Sequence, residues 1–245
     1  MSYGPCRIGL IVTGKGEASF LHDLFNREMM PRAYCLFEVV RYFPQLRPTN
    51  AQLKKQNITG TNQPAPTRDQ ELGLAAFGYL RSNERSFVMV VDDLEGDEPV
   101  PVFERYRKAL DSVIQRPGLD KRAAVHFLAN MIEAYYFAQS PAVNAVAGRN
   151  VLNADHPTDV ETINHPKGRL RGLWKEFHEI RHGKQIVDQL DLQHVLQRAT
   201  ECCWFRALLT WCVDRLEQEG AFYDPFDRKL YHIDSGCKSS VCYPQ

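Results

Sequence analysis

The sequence predicts an α/β protein in which a mostly parallel sheet is flanked by helices and followed by a C-terminal helical extension. Short apolar runs alternate with amphipathic helical patterns in the first half of the chain, as in parallel strands joined by helical crossovers. The second half has mainly helical periodicity. The chain of 245 residues is 44% hydrophobic, enough for a sizeable core. We therefore expect an α/β domain over residues 1–140 and a helical extension packed on it over residues 141–245.

Four apolar or β-branched runs predict strands at residues 7–13, 36–43, 86–91 and 123–128. Four amphipathic segments predict helices after them, at residues 17–29, 67–81, 102–114 and 131–138. Thr67 is a predicted N-cap because the acids Asp69 and Glu71 follow it in a first helical turn. Pro31 ends the first helix, since proline cannot donate a helical hydrogen bond.

The remaining segments are predicted as loops or helices. Residues 44–66 are polar with little periodicity and predict a long loop. Residues 140–166 are also predicted as a loop. Helices are then predicted at residues 168–178, 184–190 and 192–218, the last from its apolar periodicity.

Composition narrows the functional classes. Lys plus Arg and Asp plus Glu each number 30, so the net charge neither requires nor excludes a nucleic-acid partner. No apolar run approaches the roughly 18 residues of a membrane-spanning helix, and the N-terminus lacks the pattern of a signal peptide. We therefore expect no membrane partner. Cys35, Cys202, Cys203 and Cys212 lie in apolar sequence, so we expect reduced core cysteines in a cytoplasmic protein.

The stretch GLIVTGKGEASF, near the start of the chain, is typical of a strand, a glycine turn and a helix start. Gly9, Gly14 and Lys15 match the phosphate-binding loop pattern GxxxxGK. Gly16 then stands where that loop needs a Ser or Thr to reach a magnesium ion, and Gly9 lies inside the predicted strand. The departures favour a different site, in which the turn approaches a metal ion held by carboxylates.

Acids follow three of the predicted strands. Glu17 follows the first strand, Asp92 and Asp93 end the third with Glu95 close behind, and Glu133 follows the fourth. Ligands of open parallel sheets bind at the carboxyl ends of the strands, so neighbouring strands would bring these acids together. Clustered carboxylates remain ionised when cations share the site, and oxygen ligands suit Mg²⁺ or Mn²⁺. The alternative is that these acids lie in solvated turns and that Glu17 merely favours a helix N-terminus.

Six short elements occur in the same order as in a known family. They are Thr13-Gly-Lys-Gly-Glu17, Asp92-Asp-Leu-Glu-Gly96, Ile132-Glu-Ala-Tyr-Tyr136, His165-Pro-Lys167, His182-Gly-Lys184, and the segment from Cys202 to Trp211. Together they resemble the Toprim (topoisomerase–primase) fold and, more closely, an uncharacterised bacterial family of Toprim-like proteins related to the OLD nucleases. The resemblance implies a metal-dependent nuclease fold. The chain departs from it at Thr13, where the family has a glutamate that acts as general acid or base, because a hydroxyl cannot supply that chemistry at neutral pH.

The resemblance also implies roles for single residues. The metal ligands would be Glu17, Asp92, Asp93 and Glu95, holding Mg²⁺ or Mn²⁺. Glu133 would complete the metal shell or orient a water, and Lys167 would neutralise the scissile phosphate. The predicted catalytic residues are therefore Glu17, Asp93, Glu133 and Lys167.

Basic residues suggest a surface that faces nucleic acid, with DNA as the favoured partner. The predicted contacts are Lys15, Lys167, Arg169, Arg171, His182 and Lys184. Glu176 and Glu179 interrupt this basic segment, so the alternative is an ordinary solvated helix face.

The function expected from the sequence is a metal-dependent, nuclease-like protein acting on nucleic-acid phosphodiesters, in bacterial defence against phage or plasmid DNA. The alternative is a catalytically degenerate Toprim-like protein that binds an ATPase or an effector, which Thr13 favours. A nucleotidyl or phosphoryl transferase using the same metal site is not separable from the nuclease by sequence.

Overall fold

A four-stranded sheet, in which all the strands are parallel, organises the part of the chain that the computed structural model describes, namely residues 4–44, 67–94, 99–114, 120–198 and 200–223. Its strands are β1 (Cys6–Val12), β2 (Cys35–Tyr42), β3 (Ser86–Leu94) and β4 (Ala123–Ala129). The strand order is β2-β1-β3-β4, and every neighbouring pair is parallel. The predicted α/β fold class is therefore confirmed, with an all-parallel sheet in these residues.

The helices lie on both faces of the sheet. A single π-helical turn, Glu17–Leu21, leads into α1 (His22–Met29), and α2 (Arg68–Ser82) and α3 (Pro99–Asp111) follow. The later helices are α4 (Glu133–Tyr136), α5 (Ser140–Ala147), α6 (Pro166–Leu173), α7 (Glu179–Val187), α8 (Leu192–Val195) and α9 (Cys203–Gln218). Short 3₁₀ turns occupy Asp120–Arg122 and Val160–Thr162.

Alternating side chains of the strands build two apolar cores. Val88 and Val90 of β3 face a core shared with α2 and α3, because successive residues of a strand point to opposite faces. Met89 and Val91 face a larger core shared with α1 and α4 to α9. In this second core Trp211 of α9 packs edge-on against Phe87, with ring centroids 6.2 Å apart. The C-terminal helices therefore cover one face of the sheet.

Several local predictions were wrong, including the helices predicted at residues 168–178 and 184–190, in whose place the structure has α6 and α7. Residues 140–166 are not a continuous loop, since α5 begins there with Pro141 in its first turn and ends at Gly148, whose φ is +65°. The predicted helix over residues 192–218 is interrupted after α8 and restarts at Cys203. Strand β3 extends to Leu94, because its ladder with β4 continues as far as Ala129. Residues 45–66 of the predicted long loop, and Glu95, lie outside the described residues.

Two expectations drawn from composition can be compared with the fold. Among the described helices, none has both the length and the apolar character needed to cross a membrane. Cys35, Cys202 and Cys212 are free and buried, as expected, and so is Cys6. Cys203 is disulfide-bonded, so the expectation of a reduced thiol was wrong there.

Candidate functional site

A cleft of about 470 Å³ opens at the carboxyl edge of the sheet, beyond the ends of β1 and β3. Its charged lining residues are Lys15, Glu17, Asp93, Glu133, Lys167 and Glu179. These residues come from the glycine turn, β3, α4, α6 and α7. The glycine turn follows β1 and α4 follows β4, so the strand order β1-β3-β4 brings the glycine turn, the end of β3 and α4 together. Glu17, Asp93 and Glu133, three of the acids predicted from the sequence to converge, thus lie in one cleft.

The glycine turn allows two acids to pack directly on the backbone. A Cβ atom at Gly14 would lie 1.7 Å from Oε2 of Glu17 and 2.9 Å from Oδ2 of Asp93. No side chain fits there unless the carboxyl groups move. Gly14 is therefore required by the close approach of the Glu17 and Asp93 carboxyl groups, and the turn carries these acids instead of a phosphate cradle.

The acidic cluster, defined here as Glu17, Asp93 and Glu133, has two buried members and one half-buried member, Asp93. Glu17 is 3% exposed and Glu133 is 2% exposed. Burial raises the pKa of all three carboxyl groups, and that of Glu133 rises to about 7. The charges of Glu17 and Glu133 raise the pKa of Asp93 further. Burial therefore favours the protonated form of each carboxyl group when no cation shares the cluster.

Not every carboxyl oxygen of the cluster has a hydrogen-bond donor among the described residues. Glu17 and Asp93 are joined by a side-chain hydrogen bond. The other oxygen of Glu17, Oε1, is buried and has no hydrogen-bond partner among the described residues. A buried acceptor without a donor is costly unless a ligand satisfies it. This oxygen is the strongest sign that the cleft receives a cation or a donor group.

Lys167 places a positive charge beside the acidic cluster. Its Nζ lies 4.0 Å from Oε1 of Glu133 and 3.2 Å from Oε2 of Glu179. The lysine lowers the pKa of Glu133 and of Glu17, against the larger effect of burial. Glu179 was counted in the sequence as an acid that interrupts a basic segment. The structure places it in the first turn of α7, a helix that the sequence predicted to begin only at residue 184.

Asp92 points away from the cleft, although it is adjacent to Asp93. Thr13 donates a hydrogen bond from Oγ1 to Oδ1 of Asp92. Tyr106 of α3 donates from its hydroxyl to Oδ2 of Asp92 over 2.8 Å, and the backbone N–H of Asp93 donates to Oδ1 over 2.9 Å. Since both aspartates belong to β3, their side chains leave opposite faces of the sheet. The structure therefore places Asp92 in a hydrogen-bonded network with Thr13 and Tyr106, apart from the acidic cluster.

The cluster is not arranged around a cation. In the described ranges, no group of three or more His, Cys, Asp or Glu residues has the arrangement of a metal site. One physical reason is that the hydrogen bond between Glu17 and Asp93 engages oxygens that a cation would need. Displacing that proton would free these oxygens, and the partnerless Oε1 of Glu17 is already available. Oxygen ligands with excess negative charge are the donor set that suits Mg²⁺ or Mn²⁺.

The predicted nucleic-acid contacts have varied surroundings. Lys15 is exposed at the cleft. Arg169 lies over the ring of Phe137, 5.5 Å from its centroid, and Lys184 pairs with Asp23 over 2.9 Å. His182 is 9% exposed, and its ring stacks on Trp174 with centroids 4.5 Å apart. The structure thus gives His182 a packing role, while Lys15 and Arg169 remain exposed.

Strained backbone precedes two of the charged cleft residues. Asn130 and Met131 have φ of +56° and +74° just before α4 presents Glu133, and His165 has φ of +49° two residues before Lys167. Left-handed backbone costs a non-glycine residue roughly 1–2 kcal/mol. Such outliers persist where the surrounding structure enforces them, and they are concentrated at functional sites.

Comparison with protein families gives one match. The family model of DUF4276, described as a domain of unknown function, matches residues 12–212. The chain belongs to this family. The DUF4276 match runs from the end of β1 into α9 and includes every charged residue of the cleft. Neither the curated proteins nor the solved structures gave a match.

Proposed function

We propose that this protein is a metal-dependent, nuclease-like enzyme that acts on nucleic-acid phosphodiesters with Mg²⁺ or Mn²⁺ bound in the cleft. The observation that carries the proposal is the convergence of three carboxyl groups, those of Glu17 and Glu133 buried and that of Asp93 half-buried, beside a lysine at the carboxyl edge of a parallel sheet. That edge is the usual ligand-binding side of such sheets. The order of motifs that resembles Toprim-like proteins supplies the substrate class.

Glu17, Asp93 and Glu133 would hold the cation. The partnerless Oε1 of Glu17 and the mutual repulsion of the carboxyl groups support this assignment. Asp92, which the sequence predicted as a further metal ligand, is engaged by Thr13 and Tyr106, and it would instead hold the end of β3 in place. A bound divalent cation supplies an activated water and stabilises charge on the phosphate oxygens.

The side chains of the cleft would bind and orient the substrate. The ammonium of Lys167 would contact the scissile phosphate, while exposed Lys15 would contact a neighbouring phosphate at the opening. Glu133, 4.0 Å from the Lys167 ammonium, would complete the metal shell or orient a water. Arg169, Arg171 and Lys184 would extend the contact with the nucleic-acid backbone.

Thr13 favours a second candidate function. Its hydroxyl is already used in a buried hydrogen bond to Asp92, at the position where the Toprim-like pattern has an acid. A protein of this kind would bind an ATPase or an effector through the same surface and carry out no chemistry. For either candidate we propose a cytoplasmic protein of bacterial defence, with DNA as the nucleic acid, on the basis of the resemblance.

Metal titration combined with a cleavage assay separates the two candidates. Mn²⁺ and Mg²⁺ are titrated calorimetrically into the wild-type protein, Asp93→Asn and the control Glu176→Gln, whose carboxylate forms an exposed ion pair with Arg149. Plasmid and single-stranded DNA cleavage are scored on the same samples. The nuclease proposal expects binding and cleavage in the wild type and the control, and loss of both in Asp93→Asn. Stable protein with neither binding nor cleavage would reject the nuclease and favour the partner-binding candidate.

A further inference from the structure

Glu179 lies in the cleft but does not belong to the acidic cluster. Its Oε2 is 3.2 Å from Nζ of Lys167 and 3.8 Å from Nη2 of Arg171. The side chains of Glu179 and Lys167 are 21% and 23% exposed. A pair this far removed from water is screened less than an ion pair on an open surface. The contact between Glu179 and Lys167 is therefore a specific feature of the cleft.

Two acids contact the Lys167 ammonium. Oε1 of Glu133 lies 4.0 Å from Nζ of Lys167, and Oε2 of Glu179 lies 3.2 Å from it. The flexible lysine stem would otherwise allow the ammonium many positions. Arg171 follows Lys167 by one turn of α6 and contacts the same oxygen of Glu179. Glu179 therefore contacts two basic residues of α6, and the contact with Arg171 restrains the carboxylate that pairs with Lys167.

We propose that Glu179 is a positioning residue that fixes the ammonium of Lys167 beside the acidic cluster, where the lysine binds a phosphate of the nucleic-acid substrate. The identity of that substrate rests on the proposed function. The contact between the two side chains exists in the metal-free protein, so it can be tested there independently of cleavage.

The first test is chemical labelling of lysines in the metal-free protein. Wild-type protein and Glu179→Gln are treated with limiting acetic anhydride in EDTA, and acetylation is measured by peptide mass spectrometry. Losing the carboxylate should raise the labelling of Lys167 several-fold, while Lys184, paired with Asp23 and Asp188, is an internal reference that should not change. Unchanged labelling of Lys167 would overturn the proposal. If labelling of Lys167 rises in Glu179→Gln but the wild-type protein does not cleave DNA, the contact between Glu179 and Lys167 is supported and the nuclease proposal is rejected.

The second test is a double-mutant cycle on kcat/KM for DNA cleavage, with Glu179→Gln, Lys167→Met and the double variant. Glu179→Gln should lower kcat/KM about tenfold in the wild-type background and less than about twofold in the Lys167→Met background. Glu179→Asp should recover part of the loss because it restores the charge. Mn²⁺ affinity should stay unchanged in Glu179→Gln, which separates positioning from damage to the cluster. Equal losses in both backgrounds would show that Glu179 does not act through Lys167.

Discussion

Two regions of the molecule bury glutamates, and they treat the carboxyl group differently. At the base of α9, Glu161 is 8% exposed and accepts three hydrogen bonds. They come from the Tyr135 hydroxyl over 2.7 Å and from the backbone N–H groups of Trp204 and Phe205 over 3.1 and 3.0 Å. The two N–H groups lie in the first turn of a helix, where a negative charge is favourable.

The cleft compensates Glu17 less completely. Hydrogen bonds from the backbone and from Asp93 lower its pKa, yet its Oε1 has no hydrogen-bond partner in the part of the chain that the structure describes. Burial raises the pKa of both Glu17 and Glu161. A buried carboxyl oxygen left without a donor, and not burial alone, therefore distinguishes an acid that is available to a ligand from an acid that supports the fold.

The largest effect is expected from Glu161→Ala. It leaves the hydroxyl of Tyr135 and two N–H groups of α9 without their acceptor, and we expect a loss of about 3 kcal/mol in the free energy of unfolding. Urea denaturation measures it, with Glu176→Ala as control, since that carboxylate is exposed. If Glu161→Ala lost no more stability than Glu176→Ala, Glu161 would not support the fold, and the contrast between Glu161 and the glutamates of the cleft would be wrong.

His126 extends the comparison to a buried base outside the cleft. It is 1% exposed, neither ring nitrogen has a partner among the described residues, and burial lowers its pKa from 6.5 to about 3. Because the folded pKa is depressed, stability is full above pH 6.5 and falls as the pH drops. The loss is about 1.4 kcal/mol per pH unit, or about 2 kcal/mol at pH 5.

His126→Leu, a change to an apolar side chain of similar volume, should remove this dependence. Urea unfolding of both proteins at pH 7 and pH 5 gives the difference directly, because carboxylate titrations are common to both and cancel. Mn²⁺ binding should be the same in both proteins. If the wild type and His126→Leu lost the same stability between these pH values, His126 would not be a buried neutral base.

The positions of the strands, and the convergence of Glu17, Asp93 and Glu133, could be predicted because they depend on local patterns. Continuous apolar runs mark buried parallel strands, and the ends of such strands share one edge. The direction of Asp92 could not be predicted in the same way. Asp92 and Asp93 continue the ladder with β4, and the alternation within that strand decides which aspartate enters the cleft.

The break between α8 and α9 was hidden by apolar residues that continue the helical period. Leu196 and Cys202 are buried, so the pattern does not change where the helix stops. The break is held by Arg206, whose guanidinium donates to the backbone carbonyls of Glu201, Leu196 and Arg198. These contacts depend on tertiary structure, as does the pairing of Glu179 with Lys167, and no local sequence pattern encodes either.

The smallest change in stability, and the one that separates the two regions most clearly, is expected from Glu17→Gln. In EDTA this variant should be about 1 kcal/mol more stable than the wild type, because an amide can donate to Asp93 and removes one of the repelling carboxylates. Thermal unfolding with EDTA and with millimolar Mn²⁺ measures both proteins. Mn²⁺ should stabilise the wild type and the control Glu176→Gln but not Glu17→Gln, because a ligand that binds the native state raises its stability by mass action.

A less stable variant in EDTA would show that Glu17, like Glu161, supports the fold, and the acidic cluster would then be structural. A more stable variant that has lost the response to Mn²⁺ would show that the chain keeps a destabilising acid in order to bind a cation.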